Sequence, residues 1–154
     1  MAKARPVELD AEMTFAQAAS VTIATRSHEL FACADRVLDV EDIERVHDMR
    51  VASRRLRAAL EVFAPCFDRD DHRHLLREVK GLACALGRRR DPDVQIDGLR
   101  KLRGELPPKD HPGVDLLIAR ARDQQAAGNM ALREALEAVL TQDLRGRLEE
   151  LARP

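Results

Sequence analysis

The densest group of cationic side chains in the sequence lies between Arg45 and Arg57, within and just before the stretch VHDMRVASRRLR. This segment holds five arginines and one histidine but a single aspartate. Guanidinium groups present forked donors that match phosphate oxygens, and one carboxylate cannot neutralise five of them. The segment therefore indicates an anion-binding site.

Helical spacing sorts these cations by face. At about 100° per residue, a sector of about 80° contains His47, Arg50, Arg54 and Arg57. Arg45 and Arg55 fall outside that sector, and we expect them to form ordinary ion pairs. A later segment repeats the arrangement with Arg73, Arg77, Lys80 and Arg88, and Cys84 lies on the same stripe. If the two helices are neighbours, both stripes border one groove, and its natural ligand is a linear polyanion.

Other interpretations of these residues stay open. Glu61 follows Arg57 by four residues, so the stripes could form a solvated face with internal salt bridges. His47 alone could bind a metal. Zinc could also be held by Cys66, His72 and His74, although on a helix the two histidines point about 200° apart.

We expect no metal, no cofactor and no enzymatic activity. The sequence has no glycine-rich phosphate loop and no G-x-S-x-G motif. A net charge of -1 and an aromatic content of 3% argue against nucleic acid, which shares the phosphate chemistry. A protein interaction module is the remaining alternative.

The composition predicts an all-α protein. The 154 residues suit one domain, 1–154, and the apolar residues are mostly Leu, Ala and Val. Three cysteines without paired spacing, Cys33, Cys66 and Cys84, suit free thiols in apolar surroundings and a reducing compartment, so we expect a cytoplasmic protein. No signal-peptide core or membrane span is apparent, and we expect no membrane partner.

Periodicity and capping residues predict four long helices and a short terminal one. The first is expected over Ala11–Leu38, and the second from an N-cap at Asp39 until Pro65. We expect the second helix to bury an apolar stripe formed by Met49, Ala52, Leu56, Ala59, Leu60 and Phe63. The third is expected to start at Asp68 or Asp70 and to be interrupted at Gly87. Its continuation to Arg103 would have Asp91 as N-cap and Pro92 as first residue.

The fourth helix is expected to open at Pro112, with a weak point at Gly128. We expect its apolar face to carry Leu116, Leu117, Ile118, Ala121, Leu132, Leu136 and Leu140. Thr141 would cap the terminal helix, residues 142–151. The simplest architecture is an up-and-down four-helix bundle with a short extra C-terminal helix.

Two motifs resemble those of the CHAD domain, the conserved-histidine α-helical domain. VHDMRVASRRLRAALEVF resembles its signature helix, H-x-x-R-V-x-x-R-R-L-R. LLREVKGLACALGRRRDPDV resembles its second signature, L-R-E-x-K followed by L-G-x-x-R-D-x-D-V. The resemblance implies a helical fold that binds inorganic polyphosphate through a basic cavity, with association with polyphosphate granules a further expectation.

Residue by residue, the resemblance implies phosphate contacts for His47, Arg50, Arg54, Arg57, Arg77 and Lys80. Arg90, Asp91 and Asp93 match the R-D-x-D element, but we expect structural roles for them. The family's fold has two four-helix bundles related by a pseudo-twofold, whereas this sequence contains one histidine-and-arginine helix. It resembles the N-terminal half of the family's domain, and a symmetric homodimer would regenerate the second half.

Overall fold

A computed structural model describes residues 4–153, so the ends of the expected 1–154 domain, residues 1–3 and 154, lie outside the described residues. Within that range the chain is all-α, as the sequence predicts, and contains no strand. The helices are α1 Phe15–Ala32, α2 Ile43–Val62, α3 Arg69–Glu105, α4 His111–Thr141 and α5 Leu144–Leu151. Short 3-10 helices, Ala64–Cys66 and Pro108–Asp110, precede α3 and α4.

The helices pack mainly in chain order. α1 packs on α2, α2 on α3 and α3 on α4, while α5 contacts α1, α3 and α4. Across residues 4–153, no pair of Cα atoms within 8 Å joins α1 to α4. In an up-and-down four-helix bundle, α1 and α4 would pack directly against each other. Here α5 contacts both α1 and α4 instead, so the predicted bundle is not confirmed.

Two separate cores follow from the unequal helix lengths. The main core joins α1, α2, α5, the first half of α3 and the second half of α4. The other halves of α3 and α4 form a hairpin with a small core of its own, Ile96, Val114, Ile118 and Ala121. The hairpin thus extends beyond the main core as a two-helix layer.

Side-chain caps set several helix starts. Thr14 and Gln17 form a capping box at α1, which begins four residues later than predicted. Asp68 caps α3 by accepting hydrogen bonds from the backbone N–H groups of Asp70 and Asp71, as predicted. The hydrogen bonds from the Asp71 N–H and, to a lesser extent, the Asp70 N–H stabilise the charged form and lower the pKa of the Asp68 carboxyl.

Two predicted caps are wrong. The N-cap of α2 is Asp42, because the Asp39 carboxylate instead accepts from the Glu41 backbone N–H and the Arg36 guanidinium in the preceding turn. Thr141 is the last residue of α4, and α5 is capped by Asp143, whose side chain accepts from the Gly146 N–H.

The predicted interruption of α3 is also wrong. The helix runs through Gly87, Asp91 and Pro92 without a break, so Asp91 caps nothing. Proline in a helix interior costs about 3 kcal/mol because it removes a donor and crowds the carbonyl four residues earlier. Tertiary packing offsets that cost, since Pro92 is buried and α3 contacts α4 on both sides of it.

Gly128 of α4 lies against the backbone of α3 at Arg88 and Arg89, just before Pro92. The Arg88 carbonyl cannot receive the regular helical hydrogen bond, because residue 92 is a proline without an N–H. A Cβ at Gly128 would lie 2.7 Å from that carbonyl oxygen and 3.0 Å from the Cα of Arg89. Gly128 is therefore a point of close approach between α3 and α4, and α4 continues through it without a break.

A buried polar network ties α3, α4 and the α1–α2 connection together. Arg89 is fully buried and donates to Asp93 and to Asn129. Gln125 donates to the Asp93 carboxylate at 2.6 Å, and Asn129 donates to the Leu38 carbonyl at 3.1 Å. Buried charges require such partners, so this network supplies interactions that hold the proline-containing turn in place.

The hydrophobic stripe of α4 is partly mispredicted. Ile118, Ala121 and Leu132 are buried and Leu136 packs against the main core, but Leu116, Leu117 and Leu140 are exposed. The first two lie on the hairpin, where no third helix covers them. Exposed apolar residues on the hairpin include Val94 and Leu102.

Candidate polyanion-binding surface

The core positions of α2 determine which way its cations point. Met49, Leu56 and Leu60 are fully buried, and Ala52 and Ala59 are nearly so, as the sequence predicts. A helix that buries one side presents the opposite side to solvent. That opposite side carries His47, Arg50, Arg54 and Arg57, all of which are exposed or half-buried.

α3 presents its cationic stripe in the same way. Its buried residues Leu75, Val79, Leu82 and Leu86 face the main core. Arg73, Arg77, Lys80 and Arg88 are all exposed, and Cys84 is exposed with them rather than set in apolar surroundings.

The two stripes adjoin along the α2–α3 contact. Lys80 Nζ lies 3.0 Å from Glu61 Oε1 across the two helices. Arg50 Nε lies 4.0 Å from the position that a Cβ would occupy at Gly87. The His72 ring Nε2 lies 2.7 Å from the Leu60 carbonyl oxygen, so the helices run antiparallel, with Arg50 beside the Arg88 end of the stripe. We call this area, with its eight predicted residues, the α2–α3 surface.

Arg45 and Arg55 form ion pairs, as the sequence predicts. Arg45 Nε lies 3.1 Å from an Asp42 carboxylate oxygen. Arg55 faces α1, with Nη1 4.0 Å from the buried carboxylate of Glu29. Helical spacing thus correctly places Arg45 and Arg55 off the α2–α3 surface.

The salt-bridged interpretation holds for only part of the surface. Glu61 lies 3.9 Å from Arg57 Nε and 3.0 Å from Lys80 Nζ, so two of the predicted ligand contacts share one carboxylate. Within residues 4–153, no ion pair involves the remaining arginines of the surface, Arg50, Arg54, Arg73, Arg77 and Arg88. Arg57 Nε is also a buried donor without a hydrogen-bond partner in the described chain.

Most of the positive charge on the α2–α3 surface is therefore not offset by a carboxylate among the described residues. Like charges this close repel one another, and an anion that spans them relieves the repulsion while satisfying guanidinium N–H groups. A concave groove stays a prediction, because the cavities that we describe are lined by other residues.

Of the R-D-x-D residues, Asp93 is buried and Arg90 is half-buried, whereas Asp91 is exposed. Asp93 is buried against Arg89, and Arg90 Nη1 lies 3.9 Å from its second carboxylate oxygen. The sequence suggested an ion-pairing role for Arg90 but missed Arg89, whose burial is not signalled by its neighbours in the sequence. The cross-helix partner of Glu61, Lys80, was also missed, because it depends on which helix packs beside α2.

The residues weighed for zinc do not assemble into a site. His72 is buried on α3 with its ring against the Leu60 carbonyl, while His74 is exposed. Across the part of the chain that the structure describes, no group of three or more His, Cys, Asp or Glu side chains is arranged to hold a metal ion.

Comparisons with known proteins place the chain in a family. A family model described as the CHAD domain matches residues 22–154, which include both cationic stripes. The chain belongs to the CHAD domain family. This confirms the resemblance of the two motifs, and the CHAD family is associated with polyphosphate binding. No curated protein and no solved structure matches the chain. Over residues 4–153, none of the CHAD chain's helices combines the length and apolar character that a membrane span requires.

Proposed function

We propose that this CHAD domain is a non-enzymatic module that binds inorganic polyphosphate on the α2–α3 surface. The observation that carries the proposal is the adjacency of the two stripes, joined by the Glu61–Lys80 contact, with five arginines that form no ion pair within residues 4–153. Polyphosphate has a negative charge on every repeating unit, so it can engage such a row of cations along its whole length. Family membership supports the same ligand.

Affinity measurements on an arginine pair test the proposal. The double variant Arg50→Ala/Arg54→Ala removes two exposed guanidinium groups that have no carboxylate partner among the described residues, so the fold should be retained. Each charge-assisted contact is worth roughly 1.5–3 kcal/mol, so long-chain polyphosphate should bind at least about tenfold more weakly. Wild-type affinity should also fall steeply between low and high salt, because binding releases counterions.

A matched control removes two arginines from outside the surface. Arg122 and Arg133 are exposed on α4, and the double variant Arg122→Ala/Arg133→Ala carries the same change in net charge. It should bind polyphosphate nearly as well as wild type. Equal losses in the two double variants, or an affinity independent of salt, would refute a specific surface.

Nucleic acid is the alternative ligand with the same phosphate chemistry. Its charge is less dense along the chain, and the described CHAD domain offers few aromatic rings for base stacking. Competition between long-chain polyphosphate and single-stranded DNA of equal total charge separates the two. DNA should displace polyphosphate only at large excess, and equal competition would favour a general phosphate-binding module.

A homodimer is part of the proposal, and the hairpin supplies its interface. A groove of about 500 Å³ between the outer halves of α3 and α4 is lined by Gly98, Leu99, Leu102, Leu117 and Ala121. Leu102 and Leu117 are exposed there, and a second hairpin packed on the first would bury them. Light scattering of the wild type should give a dimer mass, and Leu102→Glu/Leu117→Glu should give a monomer; a wild-type monomer at high concentration excludes the dimer.

The proposed setting is the cytoplasm, in association with polyphosphate granules. Free thiols at Cys33, Cys66 and Cys84 suit a reducing compartment. Burial, aided by the carboxylates of Asp48 and Glu29, raises the pKa of the Cys33 thiol and keeps it in the less reactive protonated form. Fluorescence microscopy of a tagged chain, with and without cellular polyphosphate, tests the granule association.

A further inference from the structure

Glu61 divides the α2–α3 surface into two parts. Its carboxylate pairs with Lys80 at 3.0 Å and lies 3.9 Å from Arg57 Nε, so it offsets one of the two positive charges in the middle of the surface. Arg50, Arg54 and Arg88 lie toward the start of α2, and we call them the first patch. Arg73 and Arg77 lie toward the start of α3, beyond the Glu61–Lys80 contact, and form the second patch.

We infer that the two patches bind one extended polyanion at two points, with Glu61 as the residue that separates them. The inference rests on the proposed function and specifies its ligand by length. Eleven residues separate Arg77 from Arg88, the nearest members of the two patches on α3, which corresponds to about 16 Å along the helix axis. A polyphosphate that reaches both patches must span that distance, whereas a short oligophosphate occupies one patch.

Bivalent attachment has a measurable signature. When one ligand joins two patches, the second contact is intramolecular and gains from a high effective concentration, so loss of either patch removes the gain. A ligand too short to bridge binds either patch independently. Loss of one patch then removes only part of the binding sites and leaves the other patch intact.

The experiment compares two ligands on three proteins. Long-chain polyphosphate and tripolyphosphate are titrated into wild type, Arg50→Ala/Arg54→Ala and Arg73→Ala/Arg77→Ala. Either double variant should weaken long-chain binding at least about tenfold. Tripolyphosphate should lose no more than about twofold in overall affinity, since one patch remains. Equal fold-losses for both ligands would overturn the bivalent interpretation.

A substitution of Glu61 tests the separating role directly. Glu61→Gln frees Arg57 and Lys80 for the ligand, and an exposed ion pair is worth about 0.2–1 kcal/mol, so long-chain affinity should rise by roughly 1.4- to 5-fold at low salt. The salt dependence should steepen, because two more cations take part in binding. The control Glu105→Gln removes the same charge from the far end of α3.

The outcomes separate the two proposals. If long-chain polyphosphate does not bind the wild-type chain, the proposed function itself fails. If it binds but Glu61→Gln and Glu105→Gln behave alike, the separating role of Glu61 fails while the proposed function stands. Circular dichroism of each variant confirms that a lost affinity does not come from a lost fold.

Discussion

At the scale of single residues, identical side chains take different roles according to the partner that the fold supplies. Arg45 and Arg55 pair with carboxylates on one side of α2, whereas Arg50 and Arg54, on the other side, have none among the described residues. Arg89, in contrast, is fully buried beside Asp93. The chemistry of an arginine here is set by its helical angle and by its neighbours on other helices.

The cap of α3 leads to a pH-dependent prediction. The pKa of Asp68 is lower in the folded chain than in the unfolded chain, so its contribution to stability is present above the unfolded pKa, near 3.8, and is lost as pH falls through the folded pKa. Asp68→Ala should therefore lower the Tm at pH 7 and have a much smaller effect near pH 3. Thermal unfolding followed by circular dichroism at both pH values measures this.

Asp68→Asn is the matched control, since asparagine caps helices without titrating. It should retain most of the Tm at pH 7. A deficit in Asp68→Ala that is the same at both pH values would show that the charge of the cap does not contribute.

At the scale of helices, α3 and α4 are specified by their contact with each other. Arg88 and Gly128 meet where Pro92 has removed a helical hydrogen bond, and Arg89 and Asp93, which form a buried ion pair, directly follow Arg88 and Pro92 in the chain. A helix with a proline at its centre persists because its neighbour packs along both halves. The close approach requires a residue without a side chain at position 128.

Glycine substitutions test this packing. Gly128→Ala should destabilise the fold by about 1–3 kcal/mol, because the new Cβ would lie 2.7 Å from the Arg88 carbonyl oxygen and force the helices apart. Gly81→Ala, in α3 and with nothing within 4 Å of the new Cβ, should stabilise by about 0.5–1 kcal/mol through helix propensity alone. Urea unfolding gives both values, and a stabilising Gly128→Ala would contradict the close contact.

At the scale of the whole molecule, the unequal cores predict unequal local stability. The first half of α3 lies in the main core, where Leu82 and Leu86 are buried, whereas the hairpin core has only four buried residues. Segments with few buried contacts open locally at a lower free energy than the global free energy of unfolding. One continuous helix should therefore have two stabilities.

Hydrogen exchange followed by mass spectrometry measures this difference. Peptides from residues 97–117 should exchange much faster than peptides from residues 75–89. Because the proposed dimer would cover the hairpin, exchange there should slow as protein concentration rises. Uniform protection along α3 at low concentration would contradict the two-core description.

The sequence by itself determined the helical class, the buried stripe of α2 and the grouping of His47, Arg50, Arg54 and Arg57, because these depend on local composition and on the 3.6-residue period. It could not determine the continuity of α3 through Pro92, the exposure of Leu116 and Leu117, or the pairing of Glu61 with Lys80. Each of those features depends on which helix packs alongside and on how far along the chain that packing extends. Only tertiary structure places that neighbour, so it alone decided which of the clustered cations are left without a carboxylate.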